Sequence, residues 1–130
     1  MQGDDVAGYQ PGVCNIGPDE IARRRRAGDV GLVATASVVT ALVAVDAPPV
    51  LRLLAVVPAT ISASGYIQAR SRFCAAYGSL GVFNLGGAGS TTEVADPEAR
   101  ARDRRRARAI SLQSFAIGAL VGIAAALAPI

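Results

Sequence analysis

Two cysteines carry the most reactive side chains of this sequence. Cys14 and Cys74 are sixty residues apart. Arg70 and Arg72 closely precede Cys74, and the arginine cluster that begins at Arg23 follows Cys14. A nearby guanidinium favours the thiolate, which is the form that attacks sulfur and binds metals. One hypothesis is therefore thiol or sulfur handling, and the other is that both are small residues at helix ends. Two thiols without histidine do not form the usual four-ligand structural zinc site, although two chains could together supply four thiols, and no metal is expected.

The rest of the composition removes most catalytic chemistry. The 130-residue chain contains neither histidine nor lysine. Histidine is the commonest general base and metal ligand, and lysine supplies Schiff bases and phosphate-loop cations. The glycine-rich residues 86–91 resemble a phosphate loop but lack its lysine, and residues 86–96 are predicted to be a linker. We therefore expect no enzymatic activity and no cofactor.

Three long apolar segments must position these residues. They lie at about 28–47, 50–69 and 109–129, and apolar residues make up 52% of the chain against 18% charged. About 20 apolar residues in a helix span the ~30 Å hydrocarbon core of a bilayer. The prediction is an all-α membrane protein with three transmembrane helices, a hairpin followed by a C-terminal helix. An alternative has two spans and a surface helix, but residues 109–130 are apolar on every face, unlike an interfacial helix.

The basic residues lie on one side of this predicted topology. Twelve of the 13 flank the spans at the end where the chain begins. By the positive-inside rule that side is cytoplasmic, which places the N-terminus inside and the C-terminus outside a bacterial plasma (inner) membrane. The arginines expected to contact anionic lipid headgroups are Arg23, Arg24, Arg25, Arg26, Arg70, Arg72, Arg104, Arg105 and Arg106. No nucleic-acid partner is expected, because the arginines directly adjoin membrane-length segments.

Local signals predict where helices begin and how they pack. Residues 1–14 are expected to be mobile, a helix is expected to start at Pro18, and Asp96 is expected to cap a helix over 97–130. Pro58 predicts a kink in the second span. A stripe of small residues recurs every fourth position of the third span and indicates close helix packing, although alanine-rich filler is the alternative. The stripe consists of Ser114, Gly118, Gly122 and Ala126.

Two motifs resemble those of a known membrane-domain family. The first is Asn15-x-Gly17-x-x-Glu20-x-x-x-Arg24-x-x-x-Gly28, and the second is Cys74-x-x-Tyr77-x-x-x-Gly81-Val82. Both are similar to the motifs of the YgaP-like inner-membrane domain, which is often fused to rhodanese sulfurtransferases. The resemblance covers about residues 14–85, with departures at Ile21, where the family usually has arginine, and at Ala75, where it has proline. It implies a two-helix membrane module that self-associates and meets sulfur metabolism only through partners.

Three functions follow from these observations. The first is a non-enzymatic accessory subunit or oligomerising membrane module, whose partners are other membrane subunits or further copies of the chain. The second is sulfur handling at the cytoplasmic face through Cys14 and Cys74, with a sulfurtransferase partner. The third is a small oligomeric transporter or channel, which is weakened by the lack of ionisable residues inside the spans.

Overall fold

Three long helices dominate the protein and confirm the prediction of an all-α membrane protein. The computed structural model describes residues 8–87 and 89–129. Its helices are α1 (Pro18–Ala44), α2 (Pro49–Arg52), α3 (Val56–Ser71), α4 (Ala75–Leu80) and α5 (Pro97–Leu127), and its strands are β1 (Val82–Phe83) and β2 (Thr92–Glu93). The segments long and apolar enough to cross a membrane are Pro18–Ala44, Pro49–Ser71 and Pro97–Leu127. These contain nearly all of the predicted spans.

The helix starts follow the local sequence chemistry. Pro18 occupies the first turn of α1, where its missing N–H costs no hydrogen bond. Asp96 caps α5, since its Oδ1 accepts a hydrogen bond from the Glu98 N–H at 3.2 Å. Both predicted starts are therefore confirmed.

Helix α1 packs along α3 through glycines that let the two backbones approach. A Cβ at Gly65 would lie 2.5 Å from Gly28 N and 2.6 Å from Arg24 O, and one at Gly31 would lie 2.7 Å from Ser62 N. The Ser62 hydroxyl donates a hydrogen bond to the Gly28 carbonyl at 2.8 Å. Small residues and interhelical hydrogen bonds of this kind drive helix association in lipid, where hydrophobicity does not.

Helix α5 packs on α3 through the predicted small-residue stripe. A Cβ at Gly118 would collide with Thr60, and one at Gly122 would collide with Val56. Ser114 is also buried, whereas Ala126 is only partly buried. The stripe thus forms a contact within the chain. This contact packs α5 against α3, unlike the alternative in which α5 lies separately along the membrane surface.

The three helices expose a broad apolar surface. Val30, Leu112 and Leu120 are 70%, 65% and 67% exposed, and large aliphatic side chains cover the outer faces of α1, α3 and α5 in the same way. Large aliphatic side chains exposed along three neighbouring helices are unusual on a soluble monomer. The surface fits a multi-pass membrane protein.

The regular α-helical pattern of the second span is interrupted just before Pro58. Proline has no N–H to donate to the carbonyl four residues earlier, which is that of Leu54. The chain forms a 3-10 turn over Leu53–Ala55, so the distortion lies one turn before the proline. Two hydroxyls near Pro58 have other partners. The Ser62 hydroxyl donates to the Gly28 carbonyl of α1, and the Ser64 Oγ accepts from Gln68 at 2.8 Å.

The N-terminal segment and the segment between α4 and α5 pack against α5. Tyr9 is fully buried and stacks on Phe83 with ring centroids 4.4 Å apart, in a small core completed by Val94 and Ala99. Residues 8–14 are therefore held in place, unlike the expected mobile segment, while residues 1–7 of that prediction lie outside the described residues. The predicted linker 86–96 includes β2, which pairs antiparallel with β1.

Arg52 is the one basic residue at the end of the molecule opposite the arginine clusters, and it joins α2 to α5 at that end. Its Nη1 donates to the carbonyl oxygens of Ala125 and Ala128 at 3.4 and 3.2 Å. These carbonyls belong to the C-terminal end of α5, where unpaired acceptors and the helix dipole favour a cation. The contact ties α2 to the end of the third long helix.

Candidate functional site

A buried polar cluster lies at the arginine-rich end of the molecule, where the start of α1 meets α4. We call it the Glu20 cluster. Its members are Asn15, Glu20, Arg24, Cys74, Tyr77 and Asn84. Five of these six belong to the two sequence motifs, and the fold brings the motifs together although 45 residues lie between Gly28 and Cys74.

The Glu20 carboxylate is the centre of this cluster and is completely buried. Its Oε2 accepts three hydrogen bonds, from the Tyr77 hydroxyl at 2.7 Å, from Asn84 Nδ2 at 2.9 Å and from the Gly89 N–H at 2.9 Å. Its Oε1 lies 3.4 Å from Arg24 Nη1, which makes that contact an ion pair with weak hydrogen-bond geometry. A buried charge with this many partners is stabilised in place.

Arg24 joins the carboxylate to a thiol. Its Nη2 lies 2.9 Å from Cys74 Sγ, and its guanidinium carbon lies 5.7 Å from the centre of the Tyr77 ring. The Arg24 side chain is only 17% exposed, against 51% for Arg23. The prediction grouped Arg24 with the arginines at the headgroup surface, but one turn after Glu20 its side chain points inward to the buried carboxylate.

Asn15 holds the backbone of the thiol-bearing residue. Its Oδ1 accepts from the Cys74 N–H at 2.7 Å, and its Nδ2 donates to the Cys74 carbonyl at 3.2 Å. The Asn15 carbonyl in turn accepts from the Asn84 N–H at 2.9 Å. This two-sided amide contact places Cys74 at the start of α4, next to Arg24.

Tyr77 serves as a hydrogen-bond donor within the cluster. Burial raises the pKa of its phenol, and the hydrogen bond to the Glu20 carboxylate raises that pKa further. The phenol consequently keeps its proton throughout the neutral pH range. It donates to Glu20 and does not act there as a base.

The two thiols differ in environment, although both are free. Cys74 is 1% exposed and contacts Arg24, whereas Cys14 is partly exposed and donates to the Ile16 carbonyl with a sulfur–oxygen distance of 3.6 Å. The adjoining residues meet, since Asn15 bonds Cys74, but each thiol has its own partner. Across residues 8–87 and 89–129 no group of three histidine, cysteine or acidic residues is arranged to hold a metal ion.

The remaining glycines of the motifs act at contacts outside the cluster. A Cβ at Gly17 would lie 2.6 Å from Leu85 O, and Gly28 packs against Tyr66 and Gly65. Gly81 has φ +75° and ends α4 in the left-handed conformation that glycine adopts without strain. These positions shape the fold and lie beside the site.

A second buried carboxylate was not identified from the sequence. Asp103 is fully buried on α5, and it accepts hydrogen bonds from the Tyr9 hydroxyl at 2.6 Å and the Gly12 N–H at 2.7 Å. The available signal was one acid inside the arginine-rich stretch 100–108. A single acid within an arginine-rich stretch indicates that its side chain makes a specific contact. Here that contact holds the N-terminal segment against α5.

The other arginines predicted to contact lipid headgroups lie on the surface. Those that are exposed are Arg23, Arg25, Arg26, Arg70, Arg72, Arg104, Arg105 and Arg106. All of them lie at the same end as the Glu20 cluster. The reason is that α1 and α3 run antiparallel with Gly28 against Gly65, and that α5 meets α4 at this end, where a Cβ at Gly78 would lie 3.0 Å from Asp103 O. This end of the molecule is therefore strongly basic.

An open groove of about 460 Å³ adjoins the Glu20 cluster. Arg24 and Cys74 line its upper part, and Ala27, Thr60 and Ile61 line the part between the long helices. Cys74 is 1% exposed, so only a small part of its side chain faces this groove. Comparisons with protein-family models, curated proteins and solved structures find no match to this chain.

Proposed function

We propose that this chain is a non-enzymatic membrane module, an accessory subunit or oligomerising anchor of a bacterial inner membrane. The arginine-rich end faces the cytoplasm in this proposal, with the C-terminus on the other side, by the positive-inside rule. The YgaP-like resemblance belongs to the same proposal. The resemblance is supported by the way five motif residues come together in a single cluster. They are Asn15, Glu20, Arg24, Cys74 and Tyr77.

The observation that carries this proposal is the outward face of α1. The principal interfaces of the long helices join α1 to α3 and α3 to α5, so α3 is central and α1 packs on one side only. The outward side of α1 carries a shallow depression lined by Asp29, Val30, Val33 and Ala34. Further along, Ser37 and Ala41 are exposed and small. Small residues at helical spacing allow another helix to approach closely in lipid.

A photo-crosslinking experiment tests this face. With the photoreactive residue p-benzoylphenylalanine at position 37, the protein at native expression level should give a discrete crosslinked band, either a dimer or a defined larger complex. The matched control places the same residue at Phe115, which is exposed on α5. That position should give lipid adducts and no discrete protein band.

Blue-native electrophoresis in mild detergent provides the independent measurement. We expect an assembly larger than the monomer, which dissociates when Ser37 and Ala41 are both replaced by leucine. Recovery of the unaltered protein only as a monomer, together with no specific crosslink at position 37, would contradict the proposal.

Sulfur handling at Cys74 is a second candidate, supported by the 2.9 Å contact between Arg24 and the thiol in an open groove. The Cys74 thiolate would attack the terminal sulfur of a sulfurtransferase persulfide. A new S–S bond forms at Cys74, the donor S–S bond breaks, and the donor leaves as a thiolate that takes up a proton. The chain would then hold a persulfide next to the Arg24 cation.

Persulfide labelling after incubation with a persulfidated sulfurtransferase tests this candidate. The Cys74→Ser variant should lose the label, and Cys14→Ser, whose thiol contacts a backbone carbonyl, should show whether the second cysteine takes part. Wild-type labelling in both variants would exclude persulfide transfer to either thiol.

A further inference from the structure

The groove beside the Glu20 cluster combines a cationic upper part with an apolar lower part. Arg24, Gln68 and Cys74 lie at the upper end, which is also the end where the exposed arginines gather. Below them the groove is lined by Ala27 and Ile61. Thr60 and Gln68 are eight residues apart on α3, which corresponds to a length of about 12 Å.

The lower part lies at membrane depth. Gly65 on α3 is level with Gly28 on α1, because their backbones touch, and Thr60 lies more than one turn deeper. The groove thus begins where the first span begins and continues between two membrane-spanning helices. Its open side faces the surrounding lipid, whose hydrocarbon chains are the most concentrated apolar molecules available to it.

Arg24 retains donors for a ligand. A guanidinium has five N–H donors, and the contacts with Glu20 and Cys74 engage one nitrogen each. Bidentate binding of phosphate oxygens is characteristic of arginine. The exposed arginines at the same end add further positive charge, which attracts anionic headgroups.

The geometry points to a specific binding site for an acidic phospholipid of the surrounding bilayer. The phosphate lies against Arg24 at the upper end, and one acyl chain lies in the groove along Ala27 and Ile61. Exposed arginines attract any anionic headgroup. This site is more specific, because it requires both the inward-facing Arg24 side chain and a groove below it that accommodates an acyl chain. It does not depend on the proposed assembly or on any reaction of Cys74.

Native mass spectrometry of the protein extracted in mild detergent tests this inference with four variants. The unaltered protein should retain one phosphatidylglycerol in preference to phosphatidylcholine. In Arg24→Gln and in Ala27→Leu, which narrows the groove, phosphatidylglycerol binding should weaken about fivefold or more. Arg25→Gln and Ala22→Leu are matched controls, since both residues are exposed and neither lines the groove. These two variants should bind as the unaltered protein does.

Ala27→Leu keeps the test valid if Arg24→Gln fails to fold, because it leaves the ion pair with Glu20 in place. Equal phosphatidylglycerol binding by Ala27→Leu and Ala22→Leu would overturn the inference. Equal retention of phosphatidylcholine and phosphatidylglycerol would overturn it as well. Preferential retention of oleate over phosphatidylglycerol would show that the groove takes fatty acids, and this too would contradict the phospholipid assignment.

Discussion

Replacing Glu20 by alanine should lower the free energy of unfolding by about 3–5 kcal/mol. The substitution removes the acceptor for Tyr77, Asn84 and the Gly89 N–H at once, and it leaves the Arg24 cation largely buried without its carboxylate. Breaking a buried pair costs this much because one charge stays desolvated and uncompensated. A loss of this size is a large fraction of the roughly 5–15 kcal/mol by which native proteins are usually stable.

Unfolding by sodium dodecyl sulfate titration in mixed micelles measures this effect. Asp19→Ala is the matched control, since Asp19 is the preceding acid on α1 and is exposed. We expect its change to stay within about 0.5 kcal/mol, as for most surface substitutions. Similar stability losses for both variants would mean that the Glu20 cluster contributes nothing beyond a charge at the helix start.

Replacing Gly65 by valine should destabilise the protein by about 3 kcal/mol or more. The added Cβ would lie 2.5 Å from Gly28 N and 2.6 Å from Arg24 O, so the collision is with backbone that cannot rotate away. Glycine in a helix interior costs about 0.5–1 kcal/mol relative to alanine, so removing it brings a smaller gain in helix propensity. The steric term therefore exceeds the propensity term, and α1 must move away from α3.

The matched control introduces the same side chain at Ala36, which is exposed on α1. Ala36→Val should leave the unfolding transition almost unchanged. Cysteine accessibility gives a second readout for Gly65→Val. Once α1 separates from α3, Cys74 should react faster with a maleimide, because its contact with Arg24 depends on that interface. A stable Gly65→Val variant with slow labelling would show that the helices are not held as closely as the structure places them.

These two contacts hold α1 at different depths. The Glu20 cluster joins α1 to α4 and to the loop after β1 at the arginine-rich end, and Gly65 packs against α1 at Gly28, more than two turns beyond Glu20. Together they fix which side of α1 is turned outward. The proposed partner-binding face at Ser37 and Ala41 depends on that rotation, because a turn of the helix would bury it.

Much of the membrane architecture was determined by the sequence itself. Uninterrupted apolar runs, the arginines at one end and the helix starts at Pro18 and Asp96 are local properties, which depend on composition over one segment. The stripe through Gly118 and Gly122 also has the period of a helix face, so the buried side of α5 was readable. What such periodicity does not contain is the identity of the opposite helix. That information lies in α3, where Thr60 and Val56 meet the stripe.

Only the tertiary structure decided which charged residues turn inward. Arg24 is chemically the same as Arg23 and Arg25, and its inward direction depends on Glu20 one turn before it and on Cys74 fifty residues later. The burial of Asp103 likewise depends on Tyr9, which is 94 residues away in the sequence. Local sequence determines whether a segment is helical and apolar, because those properties depend on neighbouring residues. Pairing between distant residues depends on how the helices are placed, and this is decided when the backbones pack.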